Sequence, residues 1–132
     1  MTSDEITTAR PAAAAAPYSP VVRCPAGQDL VFVSGQLPVG EDGGLEPGGV
    51  GEQVAVAVRN ALAVASSAGV RLEDVVKMTV YTTDISDMDT LNRAYTEALG
   101  GARPARTTVE VSRLPKGALV EVDLVATVPR EP

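Results

Sequence analysis

Alternation of apolar and polar positions dominates the last third of the chain. Over residues 104–126, PARTTVEVSRLPKGALVEVDLVA, the residues Thr107, Val109 and Val111 interleave with Arg106, Thr108, Glu110 and Ser112. After the LPKGA segment, Val120, Val122 and Leu124 interleave with Glu121 and Asp123. A period of two predicts two strands with one face in an apolar core. This pattern sets Arg106, Thr108, Glu110, Glu121 and Asp123 on a polar face. A short hairpin around Arg113–Ala118 would pair Ser112 with Leu119, and Arg106 would then stand opposite Val125.

The earlier segments supply the rest of one domain, residues 17–130. Val21–Cys24 and Leu30–Ser34 read as strands joined by the turn AGQD, hence a hairpin, and Gly35 follows directly. The stretch VGEDGGLEPGG is a flexible connection punctuated by Gly and Pro. From Gly51 to Ala68, Val54, Ala57, Val58, Ala61, Leu62, Ala65 and Ala68 recur at helical spacing, and Gly69 suits a left-handed stop. Val75–Thr82 is a further strand. Ser86–Leu99 is a second helix with Met88, Leu91, Tyr95 and Leu99 on one face, opened by Ser86 and Asp89 in a capping-box arrangement. The resulting order, ββαβαββ, is an α+β sandwich: a mixed sheet with two helices on one face. The uncovered face, with Ser34, Thr108 and Glu121 among small apolar residues, is expected to be buried by self-association, with sites in the seams between subunits.

Composition narrows the chemistry. The chain has 132 residues, enough for one core without staples, and with aromatics at only 3 % that core must be built from Val, Ala and Leu. Eleven Lys and Arg against 17 Asp and Glu give a net charge of −6 with no basic cluster, which argues against a nucleic-acid partner. There is no histidine, so the Ser-His-Asp and Cys-His machines and the common catalytic zinc sites have no material. Cys24 is the single cysteine; it reads as a packed, inert thiol in a reducing cytosol. Residues 1–16 lack the charge pattern of a signal peptide and read as a disordered tail. No run is long enough for a membrane span, and the expected location is cytoplasmic.

What remains is an arginine and a carboxylate. A planar guanidinium binds a substrate carboxylate through two charge-assisted hydrogen bonds, and an acid can steer a water. At this point the chain resembles the reactive intermediate deaminase family (Rid, also called YjgF). The resemblance rests on APYSP (16–20), VFVSGQLP (31–38), GEQVAVAVRNALAVASSAGV (51–70), DVVKMTVYTTDI (74–85), LNRAY (91–95) and PAR…VEVSRLPKGALVEVDLVA (104–126). It implies a chorismate-mutase-like homotrimer with intersubunit sites. The implied activity is cofactor-free, metal-free hydrolysis of 2-imino acids, such as 2-iminopropanoate or 2-iminobutanoate, to 2-oxo acids and ammonia.

By the same resemblance Arg106 grips the substrate carboxylate and Glu121 orients the attacking water, while Tyr18, Ser34, Gly35, Asn92 and Thr108 line the pocket. Two departures bear on side-chain preference: Ala98–Leu99 replace a common aromatic pair, and the connection before Arg103 is short. The rival readings are a non-catalytic sensor of small carboxylic acids and an RNA-directed ribonuclease or translation inhibitor.

Overall fold

In the computed structural model, residues 6–7 and 16–131 are described. The elements are β1 (Ile6–Thr7), β2 (Val22–Arg23), β3 (Gln28–Gln36), α1 (Val50–Ser66), β4 (Val75–Thr82), α2 (Met88–Leu99), β5 (Ala105–Glu110) and β6 (Val120–Pro129). The expected disordered tail over 1–16 lies outside the described residues, apart from Ala16 and the two residues of β1.

The main sheet has the order β3-β6-β4-β5, antiparallel except for the parallel pair β4–β5. It is the expected mixed sheet with two helices, but two pairings differ from the sequence reading. Val22–Arg23 does not form a hairpin with the following strand; it pairs with Ile6–Thr7, while β3 pairs with β6. Nor do β5 and β6 form a hairpin. β4 lies between them, so the partner of Arg106 is Met78 and not Val125. The segment between them turns at Pro115–Gly117, with Lys116 at φ 61°, and carries the chain across β4.

One face of the sheet meets the helices. Val33, Met78, Val80, Val120, Val122, Leu124 and Ala126 are buried there against Val54, Ala57, Val58, Ala61 and Ala65 of α1. Three of those five helix residues are alanines, whose small side chains let α1 lie close over β3 and β6. α2 packs beside α1 through Leu91, Tyr95 and Leu99. The cap of α2 is Asp87, which accepts from the Thr90 amide at 3.2 Å, one residue later than the expected Ser86. Gln53, buried in α1, ties the layers together: its amide donates to the Glu46 carbonyl at 3.0 Å, and its oxygen accepts from the Leu119 amide at 2.8 Å.

The opposite face is open and partly apolar. Phe32 is 72 % exposed and Leu30 60 %, alongside Val125, Tyr81, Glu121 and Asp123. Cys24 is exposed, not packed, because β2 stands outside the main sheet.

Candidate active site

The sequence reading put Arg106, Thr108 and Glu121 on one polar face. The register separates them. Arg106 and Thr108 pair with the buried Met78 and Val80, so they point to the helix side of the edge strand β5. Glu121 pairs with Tyr81 and alternates with buried Val120 and Val122, so it points to the open side. Between Met78 and Tyr81 lie three steps along β4, and β6 and β5 flank that strand on either side. At about 3.3 Å per residue and about 4.8 Å per strand, the two backbones stand roughly 14 Å apart, with side chains on opposite faces.

The cationic half is built by three elements. Residues 16–19 are fastened beside the start of β5: Ser19 bridges to Ala105, its hydroxyl donates to the Arg103 carbonyl at 2.5 Å, and Arg103 donates to the Ala16 carbonyl at 2.9 Å. This holds Tyr18 over the Arg106 guanidinium, with 5.3 Å from Cζ to the ring centroid. Tyr95 of α2 lies over the same group at 4.8 Å. Asn92, one turn before Tyr95, accepts from Arg106 Nη1 at 2.7 Å. The guanidinium is thereby fixed between two rings by contacts that favour a cation.

Arg106 makes no ion pair among the described residues. Its Nε is buried without a hydrogen-bond partner among them, as are the Tyr95 hydroxyl and Thr108 Oγ1. Burial pushes the Arg106 pKa down, whereas the Tyr95 and Tyr18 hydroxyls act in the other direction. Burial likewise raises the Tyr95 hydroxyl far above its ordinary range, so that residue stays neutral. A half-buried cation without a counter-ion is electrostatically incomplete. It borders a cavity of about 700 Å³ between the 16–18 segment and α2, lined also by Arg93, Thr96 and Glu97. This arrangement can receive one carboxylate.

The acidic half lies on the other face. β3 carries a bulge between Val33 and Gln36, where three steps on β3 match two on β6. The bulge contains Ser34 and Gly35, and the Glu121 side chain lies directly over Gly35. A Cβ there would collide with the carboxylate, at 2.9 Å from Cδ and 3.3 Å from Cγ. Gly35 has no positive φ, so room for Glu121 explains the glycine, not backbone strain. Bulges re-aim side chains in this way.

Of the seven candidate residues, the structure therefore gathers Tyr18, Asn92 and Arg106 on one side and Ser34, Gly35 and Glu121 on the other. Thr108 adjoins Arg106 on β5, but its hydroxyl faces the interior and not the cavity. Tyr95 was read only as a core residue; its spacing of three from Asn92 was the available sign that it shares that residue's helix face. Among the described residues no cluster of His, Cys, Asp or Glu is arranged to hold a metal. None of the described helices is long and apolar enough to cross a membrane.

Comparison with known proteins identifies the family and the fold. The family model described as Endoribonuclease L-PSP matches residues 7–128. A RutC family protein of Pyrococcus abyssi is 40 % identical over 111 residues, 83 % of this chain and 85 % of that protein. The bovine 2-iminobutanoate/2-iminopropanoate deaminase is 38 % identical over 122 residues, covering 92 % of this chain and 87 % of its own. Among solved structures, Escherichia coli TdcF with bound serine superposes with a TM-score of 0.70 at 30 % identity, over 97 % of this chain and 96 % of that one. Nearly the whole described chain is matched in sequence and in fold, and it belongs to the reactive intermediate deaminase (Rid/YjgF) family.

Proposed function

We propose that this protein hydrolyses reactive 2-imino acids to 2-oxo acids and ammonia, in sites completed by a second copy of the chain within a homotrimer. The observation that carries the reading is Arg106: a half-buried cation stacked between Tyr18 and Tyr95, tied to Asn92, and without an anionic partner among the described residues. The kinship with a deaminase and with a protein crystallised with serine, a carboxylate-bearing ligand, supports it.

Arg106 accepts the substrate carboxylate and holds the neighbouring imine carbon at a fixed distance. An alkyl imine is protonated at neutral pH and already electrophilic, so little further activation is needed. Glu121 of another copy takes a proton from water as its oxygen bonds to the imine carbon, giving a carbinolamine. The same carboxyl group then returns the proton to nitrogen. As the C–N bond breaks and ammonia leaves, the carboxylate takes the remaining hydroxyl proton, the oxygen becomes the carbonyl of the 2-oxo acid, and that proton leaves with ammonia as ammonium. General acid–base help of this kind contributes about 10²–10⁴-fold.

A second copy is needed because Arg106 and Glu121 face opposite sides of one sheet. The exposed Phe32 and Leu30, further along the same face as Glu121, give that copy an apolar surface to bury. The test is to generate 2-iminobutanoate in situ with an amino-acid oxidase and follow its decay. Acceleration by the wild-type protein, lost in Arg106→Met, is expected; no acceleration with any of several 2-imino acids would overturn the reading.

A further inference from the structure

The open face carries a polar pair that the mechanism above leaves unused. Tyr81 on β4 stands directly opposite Glu121 on β6, and its hydroxyl donates to Asp123 Oδ2 at 2.8 Å. Asp123 follows Glu121 by two residues, so the two carboxylates share one face with backbones roughly 7 Å apart. They are drawn in different directions. Asp123 is held toward β4 by the phenol, while Glu121 lies toward β3 over the space left by Gly35.

Two carboxylates on one face can each accept a hydrogen bond from a nearby water. We propose that Tyr81 is a positioning residue that acts through Asp123, occupying that acid so that Glu121 alone is left to orient the attacking water. The proposal rests on the deaminase reading and names a further residue pair of that site. The surroundings agree with it. The Asp123 hydrogen bond, then burial, then the charges of Asp123 and Glu121 raise the Tyr81 hydroxyl above its ordinary range, so it remains a donor at neutral pH. Lys77 of β4, on the same face, is engaged by the edge strand, donating to Thr107 Oγ1 at 3.0 Å. Neighbouring β3 presents only the uncharged Phe32 and Ser34 here. No other hydrogen bond to the Asp123 carboxylate is present among the described residues.

The experiment is a double-mutant cycle on the assembled protein, with 2-iminobutanoate generated in situ. Tyr81→Phe keeps the ring and removes the donor; Asp123→Asn removes the competing charge. Tyr81→Phe is expected to lower kcat about tenfold with KM nearly unchanged, within the range of coupling between groups of one network. Asp123→Asn should stay within about threefold of wild type, and the double variant should match Asp123→Asn, so that the second substitution suppresses the first. A packing role would give additive losses without suppression. A Tyr81→Phe protein with wild-type kcat, or a loss that persists in the double variant, overturns the proposal while leaving the deaminase reading intact. An inactive wild-type protein fails the deaminase reading itself and removes this role with it.

Discussion

Replacing Arg106 is the most informative single perturbation, because the structure separates its contribution to binding from its contribution to folding. The guanidinium is fixed by two rings at 4.8 and 5.3 Å and one 2.7 Å bond to Asn92, with no carboxylate to offset its burial among the described residues. Methionine fills much of the same volume between the rings without a charge. Folding stability should change by less than about 1 kcal/mol, since the lost stacking is offset by relief of an uncompensated, partly buried cation. Catalysis should change much more. Two charge-assisted hydrogen bonds to a carboxylate contribute about 1.5–3 kcal/mol each before desolvation. A net loss of about 3–4 kcal/mol lowers kcat/KM by roughly 10²–10³-fold. Arg106→Lys should recover little of this, because a point charge reproduces neither the fork nor the stacking. The assay is decay of 2-iminobutanoate formed in situ, with thermal melting alongside. A well-folded Met or Lys variant with kcat/KM within about threefold of wild type would refute the reasoning.

Further outcomes follow from other parts of the molecule. Gly35→Ala should fold normally, because the obstructed atoms belong to a flexible, partly exposed side chain; it should lower kcat by about 10–10²-fold while 2-oxobutanoate still binds through Arg106, as compared by calorimetry. Leu124→Ala, at a position 1 % exposed on the central strand β6, should destabilise by about 2–5 kcal/mol in urea unfolding. The raised Tyr81 hydroxyl favours the protonated folded state, a contribution fully present below the ordinary tyrosine range and lost as pH rises through the folded value. Wild-type melting temperature should therefore fall above about pH 10, and less steeply in Tyr81→Phe.

The individual elements were legible in the sequence where periodicity was long and unambiguous. Val75–Thr82 was delimited by its own alternation, and the alanine-rich stripe of α1 by its helical spacing. Strand neighbours were not legible. Nine residues separate β5 from β6, and alternation on both sides of them suggests a hairpin, yet this segment carries the chain past β4, which pairs with both strands. That pairing decides which face Arg106 occupies, so the single polar face suggested by alternation became two half-sites. The candidate residues themselves came from the family resemblance, which carries no information on which of them share a face. Tyr95 escaped because an aromatic on the apolar stripe of a helix reads as core, and it is core: the same ring fills the interior and supports the guanidinium.

The central claim is that Arg106 of one copy and Glu121 of another complete one site. Its most direct measurement is complementation between two inactive proteins, Arg106→Ala and Glu121→Gln, unfolded together at equal concentration, refolded, and verified as mixed oligomers. Random assembly places an intact arginine next to an intact glutamate in about one quarter of the sites of a cyclic oligomer. The account predicts imine hydrolysis at about that fraction of the wild-type rate, well above either protein alone. Activity no higher than the separate variants, in oligomers proven to be mixed, would contradict it and confine both residues to a single chain.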